Sequence, residues 1–574
     1  MKSNATTLFW LFLAAVVPWQ IAFYAVPCPS FFNEFSAFCG FALVLIALLR
    51  SDGHLVLSRQ TWALLCAPAL LAVTMLLQLG FGLVHLPSFV IGQLFFLGCA
   101  VIVVWMAYQY SQSGRMVDFY DGWARVWVWG CWLGLATALA QYLVLPVWPH
   151  LVAPVTELGR ISGNVRQPNH FATLMALGLP CVAWLLDRKK ISLTGALLTV
   201  IAIAVVVVLT RSRTGVVEVI AMALWMVFSS VRKPLLGVAT TLSMAVAFLL
   251  FTALSRANIL ELYGSNTVEI SQLSSAISDS RWMLWQDTLA LIAQNFWTGV
   301  GVGQLNFYRL LSDLPTNMKV LHVNAHMLPL QLAVEYGAPV AIVFTALVSW
   351  AFASSIRSCG KLGSVAAASI AVVAIHSMTE FPLWYAYILL PFALMWGILL
   401  GDAAMQHQHQ VIESTASLKL QLYGPMAIVA GTLLSLAHYL PTVAVYVVQN
   451  PGDTLKEREV TASKAFIFKH WILYSGISGL SFDVVASNPE LLSLLDTTGR
   501  FYMNDYSLAQ YALSLAANNK LEHARRVLAT LRRLESKNLP LLEAYSKSAS
   551  NAAAVRLRAV ISDPSPPLVS ARDF

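Results

Sequence analysis

The stretch LFWLFLAAVVPWQIAFYAV, residues 8–26, decides the class of fold. No charged side chain interrupts it, and its length is close to the ~20 apolar residues that a helix needs to cross a bilayer. It also lacks the small-residue site of a cleaved signal peptide. We therefore expect it to remain in the protein as the first membrane-spanning helix.

The composition extends this interpretation to the whole chain. Of the 574 residues, 58% are hydrophobic and 11% are charged, and the mean hydropathy is +0.68. A soluble domain typically carries about 25% charged residues. The sequence therefore predicts an all-α polytopic membrane protein, because a helix satisfies its own backbone hydrogen bonds inside the bilayer.

About thirteen apolar segments are long enough to span. They lie near residues 8–26, 31–49, 61–83, 89–110, 123–146, 169–186, 191–209, 214–230, 234–254, 329–354, 363–379, 385–400 and 424–447. With the amino terminus in the cytoplasm, the basic links DRKK (187–190), VRK (231–233), Arg357 and Lys361 all fall inside, as the positive-inside rule requires. The net charge of +8 therefore reports topology, and we expect no nucleic-acid partner.

The same alternation divides the chain into four parts. We predict an N-terminal transmembrane bundle (1–255), a long outer loop (256–328), C-terminal transmembrane helices (329–449) and an outer helical domain (450–574). Five arginines lie on the outer side against the general bias: Arg160, Arg166, Arg211, Arg213 and Arg281. A positively charged outer pocket would explain them.

The tail has the periodicity of soluble helices. YSLAQYALSLAANNKLEHARRVLATLRRLESKN breaks at NNK, and Ala512, Ala524 and Leu528 have the spacing of a tetratricopeptide-type (TPR-like) helical hairpin. One hairpin does not make a repeat array. The prediction is a small helical domain, which either holds a peptide-like partner or stabilises the outer loops.

Arginines mark the junction RSRTG, residues 211–215, between two spans. A guanidinium is permanently charged and forks onto phosphate oxygens, so Arg211 and Arg213, with Arg166 on another helix, indicate a phosphate site. Snorkelling to lipid headgroups is the alternative for either residue. Arg166 belongs to GNVRQPNHFATLM, residues 163–175, where polar side chains crowd the start of an apolar run.

Two further motifs carry ionisable groups. In NAHMLPLQLAVEYG (324–337), His326 ends the outer loop before a span whose polar residues would turn inward. Its imidazole could accept a proton from an attacking hydroxyl, or it is an ordinary surface histidine. In HSMTEFPLWYAY (376–387), His376 and Glu380 stand one helical turn apart at membrane depth, which favours a functional pair. The aromatic residues there either form an interfacial belt or contact sugar.

Other chemistries lack support in the sequence. The seven cysteines lie mostly inside apolar runs and indicate neither a disulfide framework nor a Cys-based metal site. No paired-carboxylate metal motif, Walker loop or HExxH motif is present. The sequence therefore predicts no metal and no other cofactor.

Five motifs together resemble one enzyme family. GRISGNVRQPNHFATLM, RSRTG, RWMLWQDTLALI followed by GVGVGQ, NAHMLPLQLAVEYG and EFPLWYAY are similar to the bacterial protein O-oligosaccharyltransferases of the PglL type, in the O-antigen ligase and polymerase (Wzy-like) superfamily. The resemblance covers roughly residues 8 to 447. RQPNH and EFPLWYAY indicate the protein-glycosylating branch, whereas the histidine and SRT-like elements are shared with lipopolysaccharide ligases.

The resemblance implies an inner-membrane glycosyltransferase whose active site and tail face the periplasm. Its donor would be an undecaprenyl-diphosphate oligosaccharide, and its acceptor the Ser or Thr of an exported, pilin-like protein. His326 would be catalytic, and the donor diphosphate would bind arginines. By the resemblance, Arg213 and Arg281 are diphosphate ligands, and Gln167 and either Tyr385 or Tyr387 bind substrate. The residue pattern adds Arg211 and Arg166 to the diphosphate ligands, and Asn169, His170 and Glu380 to the substrate-binding residues.

Some implications stay open. The motif does not decide between Tyr385 and Tyr387, and Met327 replaces the polar residue that commonly follows the family histidine. An O-antigen ligase acting on lipid A–core, or a polymerase, would use the same donor chemistry. A transporter of the lipid-linked glycan is the alternative from another class, although the two halves show no hydropathy symmetry.

Overall fold

The computed structural model describes most of the chain, and it is helical. The described residues are 5–49, 55–56, 58–143, 145, 150–155, 159–256, 270–316, 318–406, 411–412, 418–447, 455–563 and 565–574. Within them, extended pairing is limited to two short antiparallel strands, β1 (Leu55–Val56) and β2 (Val411–Ile412). The predicted all-α class is confirmed. Residues 257–269 of the predicted outer loop and the predicted boundary between the C-terminal transmembrane helices and the tail, at 450, lie outside the described residues.

The described residues form 26 α-helices. The first twelve are α1 (Ala5–Ala15), α2 (Val17–Gln20), α3 (Phe31–Ala47), α4 (Arg59–Gly80), α5 (Pro87–Ser111), α6 (Met116–Tyr142), α7 (Pro168–Ala176), α8 (Gly178–Asp187), α9 (Leu193–Thr210), α10 (Arg213–Phe228), α11 (Pro234–Arg256) and α12 (Ile270–Gln294). The others are α13 (Leu305–Leu311), α14 (Leu328–Tyr336), α15 (Ala338–Ser358), α16 (Lys361–Ser377), α17 (Ala386–Gln406), α18 (Leu418–Val447), α19 (Leu455–Lys464), α20 (Lys469–Ser478), α21 (Phe482–Ser487), α22 (Leu491–Phe501), α23 (Asp505–Ala517), α24 (Leu521–Arg533), α25 (Leu539–Ser548) and α26 (Ala552–Ser562).

The helices that can cross a membrane make this a multi-pass membrane protein. Eight in the described chain are long and apolar enough: Arg59–Gly80, Pro87–Ser111, Pro168–Asp187, Leu193–Thr210, Pro234–Ala253, Ala338–Ser358, Ala386–Gln406 and Gln421–Tyr446. Thr6–Ala15, Phe31–Ala47 and Lys361–Ser377 are apolar but shorter. Each of the thirteen predicted segments overlaps helix, α6 and α10 included, and the segments 8–26, 169–186 and 329–354 are each divided between two helices. The count of thirteen spans stays a prediction.

The described chain forms two compact units. The first consists of Met1–Pro68, Phe95–Val268 and Ala346–Leu434, and the second of Ala69–Leu94, Glu269–Thr345 and Ser435–Phe574. We call them the first unit and the second unit.

The span Pro168–Asp187 is the centre of the first unit. In its apolar stretch, 94% of the residues are buried. In Pro234–Ala253 the share is 22%, and that helix exposes apolar side chains as a lipid-facing helix does. The span is buried because α6 packs closely against it. Gly178 faces the Cys131 thiol with no room for a Cβ, and the Trp127 Nε1 donates to the Leu174 carbonyl at 3.0 Å. Polar groups at the start of this span therefore lie inside protein rather than in lipid.

Loops gather at both ends of that central span, about 30 Å apart for a helix of this length. At one end, Asp187 pairs with Lys233 at 2.8 Å and Lys361 at 3.0 Å. At the other, Arg160 donates to the Thr210 carbonyl at 3.0 Å. Three of the basic links predicted to share one side, at 187–190, 231–233 and Lys361, therefore meet, and so do the polar segments around Arg160 and RSRTG at the other end.

The second unit has one core built from distant parts of the chain. Phe307 and Leu311 of α13 belong to the same buried cluster as Leu508 of α23 and Leu528 of α24. Thr530 of α24 also donates to the Leu310 carbonyl at 2.7 Å. The tail helices thus share their hydrophobic core with the segment that precedes α14, instead of forming a core of their own.

The helical tail itself is as expected in its main feature. Helices α23 and α24 pack against each other across the short NNK connection, and Ala512, Ala524 and Leu528 are fully buried there. Further short helices, α25 and α26, pack next to them. The assignment to a TPR-like repeat stays a prediction.

Candidate active site

The RQPNH motif builds the start of α7. The Gln167 side chain accepts a hydrogen bond from the His170 amide at 2.8 Å and so caps the helix, while Pro168 occupies its first position. Proline suits that position because its missing N–H would have no partner there. The cap fixes the predicted substrate-binding residues Gln167, Asn169 and His170 on the first turn.

Arg166 precedes this cap in a left-handed conformation, with φ 56°. Its guanidinium donates to the carbonyls of Ala22 and Pro29, and its Cζ lies 4.5 Å from the centre of the Tyr24 ring. Burial lowers the pKa of this guanidinium. Arg166, predicted to bind phosphate, therefore already joins two loops through backbone carbonyls.

A chain of polar contacts runs from Arg160 into the unit. Arg160 donates to the Asn169 Oδ1 at 3.1 Å, and the Asn169 Nδ2 donates to the Glu380 Oε1 at 3.1 Å. Glu380 is 5% exposed. Helix α16 ends at Ser377, so Glu380 lies beyond the helix, although its amide still donates to the His376 carbonyl at 2.9 Å. The expected one-turn spacing of His376 and Glu380 is thus kept across a helix end.

The motif EFPLWYAY reaches the same place. The Tyr387 hydroxyl lies 2.9 Å from the Nδ1 of the buried His170. The Tyr385 ring stands edge-on to the His170 ring, with centroids 4.5 Å apart. Both candidate tyrosines thus contact the same histidine. Tyr387 is buried and its hydroxyl is bonded to His170, whereas Tyr385 is partly exposed.

Below this first turn lies a deeper polar cluster. The Thr173 Oγ1 is 2.8 Å from the Glu218 Oε1 and 2.6 Å from the His376 Nδ1. The Glu218 and His376 side chains are fully buried, and the two rings of His170 and His376 are 5.3 Å apart. Sequence reasoning missed Glu218, although a lone carboxylate in the apolar run 214–230 is the signal that marks such residues.

The two arginines of RSRTG have different surroundings. Arg211 ends α9 with φ 51°, and its Cζ lies 5.4 Å from the centre of the Phe251 ring. Arg213 begins α10 and is exposed, and its side chain makes no hydrogen bond or ion pair with any described residue. Of the two, Arg213 is the cation left available for a ligand.

His326 lies in the second unit, immediately before α14. It has φ 51°, and its ring is perpendicular to that of His322 with centroids 5.5 Å apart. The neighbouring Ala325 is fixed on both sides: its amide donates to the Gln331 Oε1 at 2.6 Å, and its carbonyl accepts from the Trp285 Nε1 at 3.0 Å. The buried Gln331 and the half-buried Trp285 thus hold the backbone that presents His326.

Arg281 is half-buried on α12, one turn before Trp285. Residues four apart share a helix face. Because Trp285 bonds to the residue next to His326, Arg281 and His326 lie on the same side of the second unit.

The glycine-rich loop GVGVGQ, residues 299–304, offers little to a phosphate. The amides of Gly303 and Val302 donate to the Glu335 Oε1 at 2.8 Å and the Gln78 Oε1 at 3.2 Å. Those of Val300 and Gly301 donate to backbone carbonyls of α14. These amides therefore fix the loop in place and are not free to bind a ligand. The polar face predicted for the span after His326 takes part in this, because Glu335 belongs to it.

In the part of the chain that the structure describes, no three His, Cys, Asp or Glu side chains are arranged so that they could hold a metal ion. The candidate site residues instead fall into two groups, one around His170 in the first unit and one around His326 in the second.

Comparison with known proteins adds the evidence on family. Residues 172–345 match the family described as O-antigen ligase, and residues 365–534 match the C-terminal region of virulence factor membrane-bound polymerases. The chain is also 25% identical over 573 residues to a general O-oligosaccharyltransferase of Acinetobacter baylyi, covering 94% of this chain and 95% of that protein. The chain is a glycosyltransferase of the O-oligosaccharyltransferase class.

A second relative of this transferase covers less of it. The ComP-specific O-oligosaccharyltransferase of the same organism is 24% identical over 246 residues, 42% of this chain and 44% of that protein. The family match at 172–345 contains Arg213, Arg281 and His326, and the match at 365–534 contains Glu380 and extends into the tail of the transferase. The RQPNH motif lies just before the first match.

Proposed function

We propose that this transferase moves an oligosaccharide en bloc from undecaprenyl diphosphate to Ser or Thr hydroxyls of exported, pilin-like proteins. The observation that carries the proposal is the similarity to a general O-oligosaccharyltransferase along 94% of the chain, tail included. The enzyme would lie in the bacterial inner membrane with thirteen spans. Its active site and its TPR-like tail would face the periplasm.

In the proposed reaction, the C1–O bond of the donor sugar breaks and the diphosphate leaves with the bonding electrons. The acceptor oxygen attacks C1 from the opposite face, which inverts the anomeric centre, and its proton passes to the His326 imidazole. General-base assistance of this kind is typically worth about 10²–10⁴-fold. The fixed backbone around Ala325 supports this role, because a base must be held at the right distance.

The diphosphate would bind cations as negative charge grows on it. Arg213 is the strongest candidate in the first unit because it is exposed and has no acidic partner among the described residues. Arg281 is the candidate beside His326. Arg211, at the junction of α9 and α10, would be a further cation for the diphosphate. Arg166 would act mainly by holding the loops next to the donor.

The sugar would meet the polar groups on the first turn of α7. Gln167, Asn169 and His170 are fixed there by the cap and by Glu380, so they would recognise hydroxyl groups without reorganising. Tyr385 is better suited than Tyr387 to touch substrate, because its ring is partly exposed.

Transfer to a lipid A–core acceptor, or polymerisation of repeat units, is the second candidate. The matches to O-antigen ligase and to membrane-bound polymerases favour it. The donor half of the reaction would be unchanged, so the acceptor decides between the candidates. A transporter of lipid-linked glycan would carry out no transfer at all.

The test uses the purified protein in detergent with an undecaprenyl-diphosphate oligosaccharide. Each reaction contains either a pilin-like protein or lipid A–core, and intact mass reports the product. We expect glycan on the protein, and none with His326→Ala. Glycan on lipid A–core alone would overturn the proposed acceptor, and glycan on neither, with donor still bound, would favour transport.

A further inference from the structure

The cluster of Thr173, Glu218 and His376 has no part in the function proposed so far. It lies one turn below Asn169 on α7, inside the first unit, and the three side chains are completely buried. Ionisable side chains at such depth are costly unless they are hydrogen-bonded. The residues that this cluster can influence are those of the first turn of α7, which Thr173 contacts through the Asn169 carbonyl.

The protons in this cluster can be counted. The Thr173 Oγ1 has three contacts: the Asn169 carbonyl at 3.1 Å, the Glu218 Oε1 at 2.8 Å and the His376 Nδ1 at 2.6 Å. A hydroxyl has one proton to donate and two lone pairs to accept with. The Asn169 carbonyl can only accept, so all three contacts are hydrogen bonds only if Thr173 donates to Asn169 and accepts from the other two.

With all three contacts as hydrogen bonds, this count sets the protonation state of both partners. Glu218 must then carry a proton on Oε1, and His376 must carry one on Nδ1. The other carboxyl oxygen, Oε2, is buried with no hydrogen-bond partner in the described structure, which suits a neutral acid far better than a carboxylate. An ion pair of Glu218 and His376 would instead leave the Asn169 carbonyl contact without a proton.

We propose that Glu218 and His376 form a neutral pair that, through Thr173, holds the first turn of α7 in place for the donor. They are positioning residues. Thr173 bonds to the carbonyl of Asn169, and the His376 ring backs the ring of His170 at 5.3 Å between centroids. The role in donor binding rests on the proposed function, whereas the protonation of the pair does not.

Substitutions at Thr173 test the link. Thr173→Val removes the hydroxyl and keeps the shape, so we expect the KM for the lipid-linked donor to rise about tenfold, because buried partners are left unpaired. The KM for the acceptor peptide should not change. Thr173→Ser keeps the hydroxyl and should stay within about twofold of the wild type. Thr240→Val is the matched control, because Thr240 is buried and its hydroxyl bonds only to its own helix, at the Leu236 carbonyl.

Substitutions at Glu218 test the neutral state. Glu218→Gln keeps a donor toward Thr173 without a charge and should retain donor binding within about twofold, whereas Glu218→Leu should weaken it about tenfold. Difference infrared spectra should show the carbonyl band of a protonated carboxylic acid that disappears in Glu218→Gln. Equal impairment of Glu218→Gln and Glu218→Leu, or the absence of that band, would overturn the neutral pair.

Two further outcomes separate this inference from the proposed function. Donor KM values for Thr173→Val that match those of Thr240→Val would overturn the positioning role. If the wild type transfers no glycan, the proposed function fails, but direct binding of the donor and the infrared band still test the cluster.

Discussion

Replacing Gln331 with leucine should slow transfer without weakening donor binding. The Gln331 Oε1 accepts the amide proton of Ala325 at 2.6 Å, and both residues are buried. Leucine fills the space but offers no acceptor. The amide of the residue next to His326 would therefore lose its partner inside the protein.

Gln331 also hydrogen-bonds to the Glu335 carboxyl, and the smallest expected effect follows from the bond to the Ala325 amide alone. A buried amide left unpaired costs about 1–3 kcal/mol. If the loop relieves this cost by leaving the conformation that presents His326, the productive population falls by about 5–150-fold, because about 1.4 kcal/mol corresponds to a factor of ten. We expect kcat to fall about tenfold or more, with an unchanged KM for the lipid-linked donor.

The assay is transfer of glycan from the lipid-linked donor to an acceptor peptide, with kcat and both KM values measured. Gln286→Leu makes the same change at an exposed position of α12 and serves as the control. Trp285→Phe removes the bond to the Ala325 carbonyl while keeping a ring, and should lower kcat in the same way. A Gln331→Leu enzyme with wild-type kcat would refute the reasoning.

Three other predictions follow from the site and the second unit. His326→Ala should lower transfer by about 10²–10⁴-fold while the protein still inserts normally, and wild-type glycosylation in that variant would remove His326 from the mechanism. Truncation after residue 450 should abolish transfer to a full-length acceptor and to a short peptide equally, because the tail shares its core with α13; a loss confined to the full-length acceptor would instead show that the tail selects it. The Nδ1 of His470 lies 3.0 Å from the Ser88 Oγ, and burial lowers the pKa of this histidine to about 3. Below the ordinary histidine pKa of about 6.5, the unfolded chain therefore takes up a proton that the folded chain does not. Stability should therefore fall as the pH drops from about 6.5 toward 3, by up to about 1.4 kcal/mol per pH unit, and thermal unfolding of His470→Gln should show a shallower slope.

The positions of the helices were largely readable from the sequence. Apolar length is a local property, so each of the thirteen predicted segments overlaps one or two helices. Three of the four basic links that were predicted to share a side meet at Asp187. The cap at Gln167 is local as well, because a helix start needs an acceptor for its free amides. Breaks within segments, such as the one between α14 and α15 at Gly337, were not predicted, since they depend on close contact with the glycine loop.

The environment of each polar residue was not readable from the sequence. Arg166 and Arg213 look alike as outer arginines, yet one is held by carbonyls and the other is exposed. Glu218 was overlooked because its partners, Thr173 and His376, are distant in sequence and meet it only in the packed bundle. Charge and spacing indicate that a residue has a function, but its neighbours decide which function it has.

The sequence by itself determined the positions of the apolar helices and the motifs that resemble an oligosaccharyltransferase, because these depend on apolar runs and on residues close together in the chain. Tertiary structure alone decided that Pro168–Asp187 is the buried central span and that the tail shares a core with α13. It also decided that Arg166 is held by backbone carbonyls whereas Arg213 is exposed. The physical reason is that burial and hydrogen bonding are set by contacts between residues far apart in sequence, and no local pattern encodes them.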